Sequence, residues 1–333
     1  MARSIIDWVE AGRVPDVLIR AGIRRRCAAL LARESEGGTE GIEPRKKVLA
    51  AELAAGPLAV HTAAANDQHY EVPASFFEAV LGDQLKYSCG YWPGGVRDLN
   101  ESEAAMLELS ARRALVEDGQ RILDLGCGWG SMSLYLAERL PNARIVGVSN
   151  SASQREFILG RARERGLHNL EIFTCDINDF EPEGTFDRIV SIEMLEHVRN
   201  YRLIFGRMAS WLRVGGLAFV HVFCHRHVAY PFETRDADEW MAKHFFTGGM
   251  MPSADFFSHF DDHLRVAERW LVPGLHYERT SNAWLERMDA REGIVRPILR
   301  RTYGEELAEI QRMRWRIFFM ACAELFGFRN GTE

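Results

Sequence analysis

The sequence lacks several features that would mark it as a member of common functional classes. Its 333 residues carry a net charge of −6, so the broad basic surface of most nucleic-acid-binding proteins is absent. Its six cysteines form no C-x-x-C pair and no zinc-type spacing, which argues against a structural metal and a disulfide scaffold. No stretch approaches the ~20 uncharged apolar residues of a membrane span, and Asp7 and Glu10 interrupt the segment where a signal peptide needs an apolar core. These absences predict a cytoplasmic protein with no metal and no nucleic-acid partner.

Residues 1–65 are predicted to form a helical arm. Apolar residues recur at helical spacing after Pro15, and an Ala-rich segment ahead of Gly56 predicts another helix. The intervening segment SEGGTEGIEPRKK (35–47) has the composition of a linker. The three arginines at 24–26 favour a solvated helix face, with contact to a lipid surface as the alternative.

From residue 119 onward, strand-like apolar runs alternate with amphipathic helical segments. Such alternation is typical of a parallel sheet flanked by helices. The predicted fold is therefore α/β, with the sheet in residues 119–225 and a helical region in residues 226–327. The predicted strands are RILDLG (121–126), ARIVGVS (143–149), LEIFTCD (170–176), FDRIVSIE (186–193) and GGLAFVHVF (215–223).

A glycine-rich loop joins the first predicted strand to its helix. It reads Asp124-Leu-Gly126-Cys-Gly128-Trp-Gly130, and glycine lets backbone N–H groups approach a ligand closely. The G-x-G-x-G spacing differs from the G-x-G-x-x-G of dinucleotide sites, and Asp124 favours a nearby ammonium or hydroxyl over a phosphate. This pattern resembles the loop that class I S-adenosylmethionine methyltransferases use for the amino-acid half of the cofactor. A purely structural turn is the alternative interpretation.

The ends of the next two strands carry further candidate cofactor contacts. Ser149, Asn150 and Gln154 follow the second strand, where a dinucleotide site usually has an acid. Asp176 and Ile177 follow the third strand, and we expect Asp176 to accept a hydrogen bond from an adenine amino group while Ile177 supplies an apolar face. Because serine and asparagine also cap helices, the order of these groups along the chain carries more weight than any one of them.

Glu193, Glu196 and His197 lie within five residues of one another after the fourth strand. A buried acid beside an imidazole is a candidate proton acceptor. A salt-bridged loop or helix N-terminus is the alternative, because acids are common there. Together with the cofactor loop, this cluster predicts catalysis.

Seven segments of the chain carry a family resemblance when they are taken together. They are HYEVPASFF (69–77), LKYSCGYW (85–92), DLGCGWGS (124–131), GVSNSASQ (147–154), FDRIVSIEMLEH (186–197), FVHVFCH (219–225) and FFTGGMMPS (245–253). They resemble the cyclopropane-fatty-acid synthase superfamily of S-adenosylmethionine methyltransferases, and within it the coclaurine N-methyltransferase-like branch. The resemblance runs from about Trp8 to the last residue, and the combination of YSCGYW with EMLEH carries most of it.

The resemblance implies a class I methyltransferase domain at residues 66–333, with S-adenosylmethionine as cofactor, after the helical arm. It implies that Glu196 and His197 form the deprotonating dyad, that Glu193 anchors a substrate ammonium, and that the chain is a candidate homodimer. The implied cofactor contacts also include His69, Tyr87, Ser88 and Ile192, and a structural role is the alternative for the first three. The implied substrate contacts are Cys89, His221 and Phe246, with a place in the core as the alternative for Phe246. Tyr230 is a further candidate substrate contact, because its ring can stack on a cation, and simple packing is its alternative.

Departures from the superfamily pattern separate its branches. Cyclopropane synthases have glycine in place of Pro73 and Glu193, and they hold a bicarbonate with a cysteine, a glutamate, a histidine and a tyrosine. Cys89, Glu196 and His221 match the first three, but WRIFF (315–319) offers no tyrosine. A carboxylate at 193 suits a cation better than an anion, so N-methylation of a small amine is predicted. The alternative is an unsaturated acyl lipid at a transient membrane surface.

Relatives of this superfamily continue beyond FGFRNG (326–331) with a final strand. The resemblance therefore leads us to expect that the last strand of the sheet is missing from this chain.

Overall fold

The computed structural model describes residues 5–59, 72–232 and 240–333. Its described residues divide into two compact units. The helical unit holds residues 5–34, 72–105 and 272–333, and the sheet unit holds residues 35–59, 106–232 and 240–271. The predicted boundary at residue 65 and the predicted extent of the methyltransferase domain stay predictions.

The sheet unit contains the predicted parallel sheet. Within the described residues, five strands pair in the order β3-β2-β1-β4-β5, and all neighbours run parallel. Helices follow β1, β2 and β4, which confirms the α/β prediction. The strands are β1 (Arg121–Leu125), β2 (Arg144–Ser149), β3 (Leu170–Thr174), β4 (Phe186–Ile192) and β5 (Leu212–His221).

The central position of β1 determines where a ligand binds. Ile122, Leu123 and Leu125 are completely buried, as a strand covered on both faces requires. Asp124 lies in register with Gly147 of β2 and Val190 of β4. The carboxyl ends of these parallel strands therefore meet at one edge of the sheet, beside the glycine loop, where open α/β sheets bind ligands.

Side-chain caps begin two helices of the sheet unit. Ser151 caps one of them by accepting a hydrogen bond from the backbone N–H of Gln154, and Asn200 caps another through the backbone N–H of Leu203. A small antiparallel pair, β6 (Tyr230–Pro231) and β7 (Met250–Met251), follows the main sheet. The helices of this unit are α3 (Gly38–Ala55), α6 (Ser131–Arg139), α7 (Ala152–Glu164), α8 (Tyr201–Trp211) and α9 (Trp240–His244), with 3₁₀ helices at Leu195–His197 and Phe256–His259.

The prediction of a linker at residues 35–47 is wrong, because α3 begins inside this segment and continues through Pro44. The Nζ atom of Lys46 lies 2.6 Å from Glu43 and donates to both carboxylate oxygens of Asp255 at 2.9 and 2.7 Å. The Lys46 side chain is buried among these partners. A tertiary ion pair thus holds a helix in a segment whose composition indicated a loop.

The helical unit confirms the helices predicted at both ends of the chain. α1 and α2 are separated at Pro15, and the C-terminal helices bury Trp284, Trp315 and Phe319 in one aromatic core. None of the described helices combines the length and the apolar character that a membrane crossing needs. The helices are α1 (Ile5–Glu10), α2 (Asp16–Glu34), α4 (Ala74–Val80), α10 (Leu275–Ala290), α11 (Glu292–Tyr303) and α12 (Glu305–Phe326), with a last helical turn at Phe328–Gly331; α5 (Leu99–Arg113) begins in this unit and ends in the other.

Arg24, Arg25 and Arg26 are all exposed, as predicted for a solvated helix face. The guanidinium of Arg24 lies 2.7 Å from Glu324, which also pairs with Arg20 at 2.9 Å. Part of the run therefore joins α2 to α12 within the helical unit.

Candidate active site

The glycine loop has two glycines that pack closely on other residues and one beside which the described residues leave open space. Gly126, Gly128 and Gly130 have φ values of +83°, +53° and +80°, in the left-handed region that favours glycine. A Cβ atom on Gly126 would lie 2.4 Å from Met194, and one on Gly130 would lie 2.6 Å from Ile158. A Cβ atom on Gly128 would meet no described atom within 4 Å. The backbone at Gly128 therefore borders a space that the described residues leave open, and a bound cofactor would fit there.

The Asp124 side chain is buried beneath this loop. Its Oδ2 atom accepts a hydrogen bond from the Ser133 hydroxyl at 2.6 Å, and burial raises the pKa of this carboxyl to about 6. The carboxylate thus ties the end of β1 to the first turn of α6. The expected contact of Asp124 with a cofactor ammonium stays a prediction.

The end of β2 presents one buried polar group that the described protein atoms leave unpaired. Ser149 donates its hydroxyl hydrogen to Gln154 Oε1 at 2.6 Å, and the backbone N–H of Ser151 donates to Ser149 Oγ. Gln154 is 1% exposed, yet its Nε2 atom has no hydrogen-bond partner among the described residues. Because a buried amide nitrogen without a partner is costly, this donor is suited to a ligand. The predicted contact Asn150 lies in the bend between β2 and α7.

The predicted adenine contacts follow β3. Asp176 Oδ1 accepts hydrogen bonds from the backbone and side-chain nitrogens of Asn178, at 2.8 and 2.7 Å. The carbonyl oxygen of Ile177 accepts from an Arg207 guanidinium nitrogen at 2.7 Å. Both residues are half-buried and held in place by these contacts.

Glu193 and His221 meet where β4 and β5 end. Ile192 is in register with His221, and the backbone N–H of Glu193 donates to the His221 carbonyl oxygen at 2.7 Å. Glu193 has a φ of +48°, a strained value for a residue with a side chain. Its carboxylate lies 4.0 Å from His221 Nε2, and the exposed fractions of the two side chains are 7% and 15%. This nearly buried acid thus follows the end of β4, at the edge of the sheet that holds the glycine loop.

Glu196 is a buried acid, and one of its two carboxyl oxygens has a hydrogen-bond partner among the described residues. It lies in the 3₁₀ helix and is 0% exposed. Its Oε1 atom accepts a hydrogen bond from the backbone N–H of Phe223 at 2.7 Å, whereas Oε2 has no hydrogen-bond partner in the described part of the chain. Burial, and then the nearby charge of Glu193, raise the pKa of Glu196 well above its usual value. The two acids therefore do not both ionise readily when no cation is near.

His197 lies beside an aromatic cluster. Its imidazole stacks on the ring of Phe246, with centroids 6.1 Å apart and an interplanar angle of 20°. Phe246 also packs against Phe223 and Phe232, and the Tyr230 ring contacts Phe232 edge-on. Burial lowers the pKa of His197 to about 4, so the imidazole is neutral at neutral pH. It is thus available as a proton acceptor rather than fixed as a cation.

Three of the predicted cofactor and substrate contacts, Tyr87, Ser88 and Cys89, lie in the helical unit. The buried Nζ atom of Lys86 donates to Ser88 Oγ at 2.5 Å and to the Cys89 carbonyl oxygen at 2.8 Å. The Tyr87 ring packs between Phe77 and Trp284. Their roles stay predictions, and His69 lies outside the described residues.

Sequence reasoning missed several residues that hold the predicted ones. Ser133 binds Asp124, Arg207 holds the Ile177 carbonyl, and Lys86 secures the segment that carries Ser88. Ser133 is predictable from the sequence, because it lies in the first turn of the helix that follows the loop. The contact of Arg207 with a carbonyl 30 residues away leaves no local signal in the sequence.

Comparison with known proteins agrees with this geometry. The family model described as mycolic acid cyclopropane synthetase matches residues 59–332. The chain is 37% identical over 334 residues to (S)-coclaurine N-methyltransferase of Thalictrum flavum subsp. glaucum, covering 99% of this chain and 92% of the relative. A cyclopropane-fatty-acyl-phospholipid synthase of Escherichia coli is 30% identical over 265 residues, covering 79% of this chain and 64% of the relative.

Among solved structures, coclaurine N-methyltransferase bound to N-methylheliamine and SAH superposes with a TM-score of 0.96 at 36% identity, covering 99% of this chain and 96% of that one. The chain therefore belongs to the mycolic acid cyclopropane synthetase family of S-adenosylmethionine-dependent methyltransferases.

Proposed function

We propose that this protein transfers a methyl group from S-adenosylmethionine to the nitrogen of a small amine. The observation that carries the proposal is the Glu196 carboxyl group, anchored through Oε1 and buried without a partner at Oε2 among the described residues. It lies in the segment that begins with Glu193, whose strained backbone presents a second acid. A pair of nearly buried carboxyl groups favours a positively charged ligand.

The cofactor site is formed at the edge where the strands end. S-adenosylmethionine supplies an electrophilic methyl group on a sulfonium sulfur. Among the described residues, the space beside Gly128 is open and Gln154 Nε2 has no hydrogen-bond partner, and both features fit a polar ligand that approaches the backbone. The residues assigned to it are Tyr87, Ser88, Asp124, Gly126, Gly128, Ser149, Asn150, Gln154, Asp176, Ile177 and Ile192.

The amine is assigned to the acid cluster. An alkylamine is mostly protonated at neutral pH, so its lone pair is masked until a proton leaves. Glu193 holds the ammonium, whose positive charge offsets the repulsion between the two acids and lowers the pKa of Glu196. Glu196 Oε2 then accepts the proton, and the neutral His197 imidazole next to it in the sequence is the second acceptor of the dyad.

The positioning of the amine and the cofactor accounts for much of the rate enhancement. Two bound reactants held in line for transfer avoid the entropy cost of a bimolecular collision, which is worth up to about 10 kcal/mol in favourable cases. The residues assigned to the substrate are Cys89, His221, Tyr230 and Phe246. The partner is therefore a small molecule.

The names of the relatives support an amine. The relative with 37% identity is named as an N-methyltransferase of coclaurine, and the superposed structure is described as bound to an N-methylated ligand, N-methylheliamine.

A second candidate is methyl transfer to an unsaturated acyl lipid. The family description and the similarity to a bacterial phospholipid synthase favour it. Against it, Trp315, Phe318 and Phe319 of WRIFF pack into the apolar core of the helical unit and supply no hydroxyl for an anion. The amine is therefore the stronger proposal.

The test is a competition between the two acceptors. The purified protein is incubated with methyl-labelled S-adenosylmethionine, together with a panel of secondary and tertiary amines and with vesicles of unsaturated phospholipid. We expect label on amine nitrogen, identified by mass spectrometry. Label found only in the acyl chains would overturn the proposal in favour of the lipid.

A further inference from the structure

We infer that Arg199 is a positioning residue that holds the Phe246 ring against the His197 imidazole. The inference rests on the proposed function, because it assigns Arg199 a role through the dyad residue His197. Arg199 lies two residues beyond His197, at the exit of the 3₁₀ helix Leu195–His197.

The contact that carries the inference is a short hydrogen bond between two loops. The Nε atom of Arg199 donates to the carbonyl oxygen of Gly248 at 2.6 Å, and the contact is partly buried. Because the donor is a guanidinium, this hydrogen bond is of the stronger, charge-assisted kind. It fixes the chain that leaves the 3₁₀ helix to the turn that follows Phe246.

That turn holds Phe246 from its C-terminal side, while the backbone N–H of Phe246 donates to the Met241 carbonyl oxygen at 3.0 Å. Gly248 has a φ of +79°, and the backbone N–H of Gly249 donates back to the Phe246 carbonyl oxygen at 3.1 Å. A Cβ atom on Gly249 would lie 3.3 Å from the Glu196 carbonyl oxygen, so this turn packs directly on the catalytic segment. A shift of the Gly248 carbonyl would therefore move Phe246 relative to His197.

The imidazole depends on such external support. The 3₁₀ helix has three residues and has no side-chain cap, so its own hydrogen bonds hold it weakly. Tyr201 braces its start by donating to the Leu195 carbonyl oxygen at 3.0 Å. Beyond its end, the backbone N–H of Arg199 donates to the Leu58 carbonyl oxygen at 2.9 Å, and the Arg199 side chain adds the contact with Gly248. The stacked Phe246 ring then restricts the rotation of the His197 side chain.

Two substitutions of Arg199 test this role in catalysis. Arg199→Met keeps the length of the side chain but removes the donor, and we expect kcat to fall roughly tenfold, because a small misplacement of a catalytic group is costly. The affinity for S-adenosylhomocysteine, measured by calorimetry, should stay within about twofold, since the glycine loop is unchanged. Arg199→Lys, which retains a charged donor, should recover most of the rate.

The matched control is Arg202→Met. Arg202 lies in α8, is 56% exposed and pairs with Asp262. Its replacement should therefore change neither kcat nor the affinity for S-adenosylhomocysteine. The double variant Arg199→Met/Phe246→Leu should lose no more rate than Phe246→Leu alone, because both changes act through one contact. Additive losses, or an Arg199→Met enzyme with unchanged kcat, would overturn the inference.

A second readout needs no methyl acceptor. Diethyl pyrocarbonate modifies neutral imidazoles, and the modification of His197 is followed by mass spectrometry of its peptide. We expect His197 to react roughly threefold or more faster in Arg199→Met than in wild type, because the ring that covers it is no longer held. An unchanged rate would contradict the inference. If the wild-type protein methylates no amine, the proposed function fails, while this labelling rate still decides the role of Arg199.

Discussion

The Oε1 atom of Glu196 accepts a hydrogen bond from the backbone N–H of Phe223, 2.7 Å away, and this contact fixes the direction of its second oxygen. Glu196 lies in the turn after β4, whereas Phe223 lies two residues beyond the end of β5. The carboxyl group thus joins the ends of two neighbouring strands. Its Oε2 atom, buried and unpaired among the described residues, is the atom on which the proposed chemistry depends.

Replacing this carboxyl group separates catalysis from cofactor binding. Glu196→Gln retains the size of the side chain but cannot accept and release a proton, so we expect kcat to fall by about 10²-fold or more. The affinity for S-adenosylhomocysteine should stay close to wild type, because the glycine loop is untouched. Steady-state kinetics and calorimetry measure the two constants. Glu181→Gln, at an exposed position, is the control, and equal kcat values for the two variants would remove Glu196 from the role of proton acceptor.

The space that the described residues leave at Gly128 predicts a selective loss of cofactor binding in a variant that fills it. Gly128→Val places a side chain there, and its Cβ atom would meet no described protein atom within 4 Å. Gly119→Val is the matched control, because Gly119 also has a positive φ, +83°, and open space, but lies before β1. Both variants carry backbone strain of about 1–2 kcal/mol. Only Gly128→Val should abolish calorimetric binding of S-adenosylhomocysteine, and wild-type affinity in that variant would contradict the cofactor assignment.

The strained backbone of Glu193 predicts a trade between stability and activity. Glu193→Gly removes a side chain from a residue with φ of +48°, so the free energy of unfolding should rise by about 1 kcal/mol. Leu115→Gly relieves a similar strain at φ of +51°, at an exposed position, and should stabilise the protein comparably. Denaturant unfolding measures both effects. The KM for the amine should rise only in Glu193→Gly, and an unchanged KM would show that Glu193 does not hold the ammonium.

The burial of His197 predicts an unusual titration. Because burial disfavours the imidazolium, the pKa of His197 is lowered to about 4, and the ring gains its proton only when the pH falls that far. The unfolded chain binds this proton near pH 6.5, so this group reduces the stability of the fold as the pH falls from about 6.5 towards 4. NMR of the imidazole carbons, assigned with His197→Gln, should give a midpoint near 4. A midpoint above 6 would contradict the environment described for this side chain.

Local sequence patterns were sufficient to predict the sheet. The glycine loop, the apolar strands and the helix ends are encoded within a few residues of one another, so Asp124, Ser149 and Asp176 were placed at strand ends correctly. The segment 35–47 was mispredicted because Lys46 is bound to Asp255, which is 209 residues away. Composition cannot report a partner at that distance.

The candidate site was predictable in its members but not in its geometry. EMLEH indicated Glu193, Glu196 and His197, yet no pattern reveals that Glu193 has a positive φ or that Phe246 stacks on His197. The contact between Arg199 and Gly248, like that between Glu196 and Phe223, depends on loops that meet only in the folded chain. Such loop contacts follow from the tertiary packing that the strand order imposes.

The most direct test of the central claim is a crystal structure of the protein with S-adenosylhomocysteine. The account predicts the ligand's amino-acid half against the loop from Gly126 to Gly130, its adenine beside Asp176 and Ile177, and its sulfur directed towards Glu196 and His197. A ligand bound elsewhere, or one whose sulfur faces away from these two residues, would contradict the account.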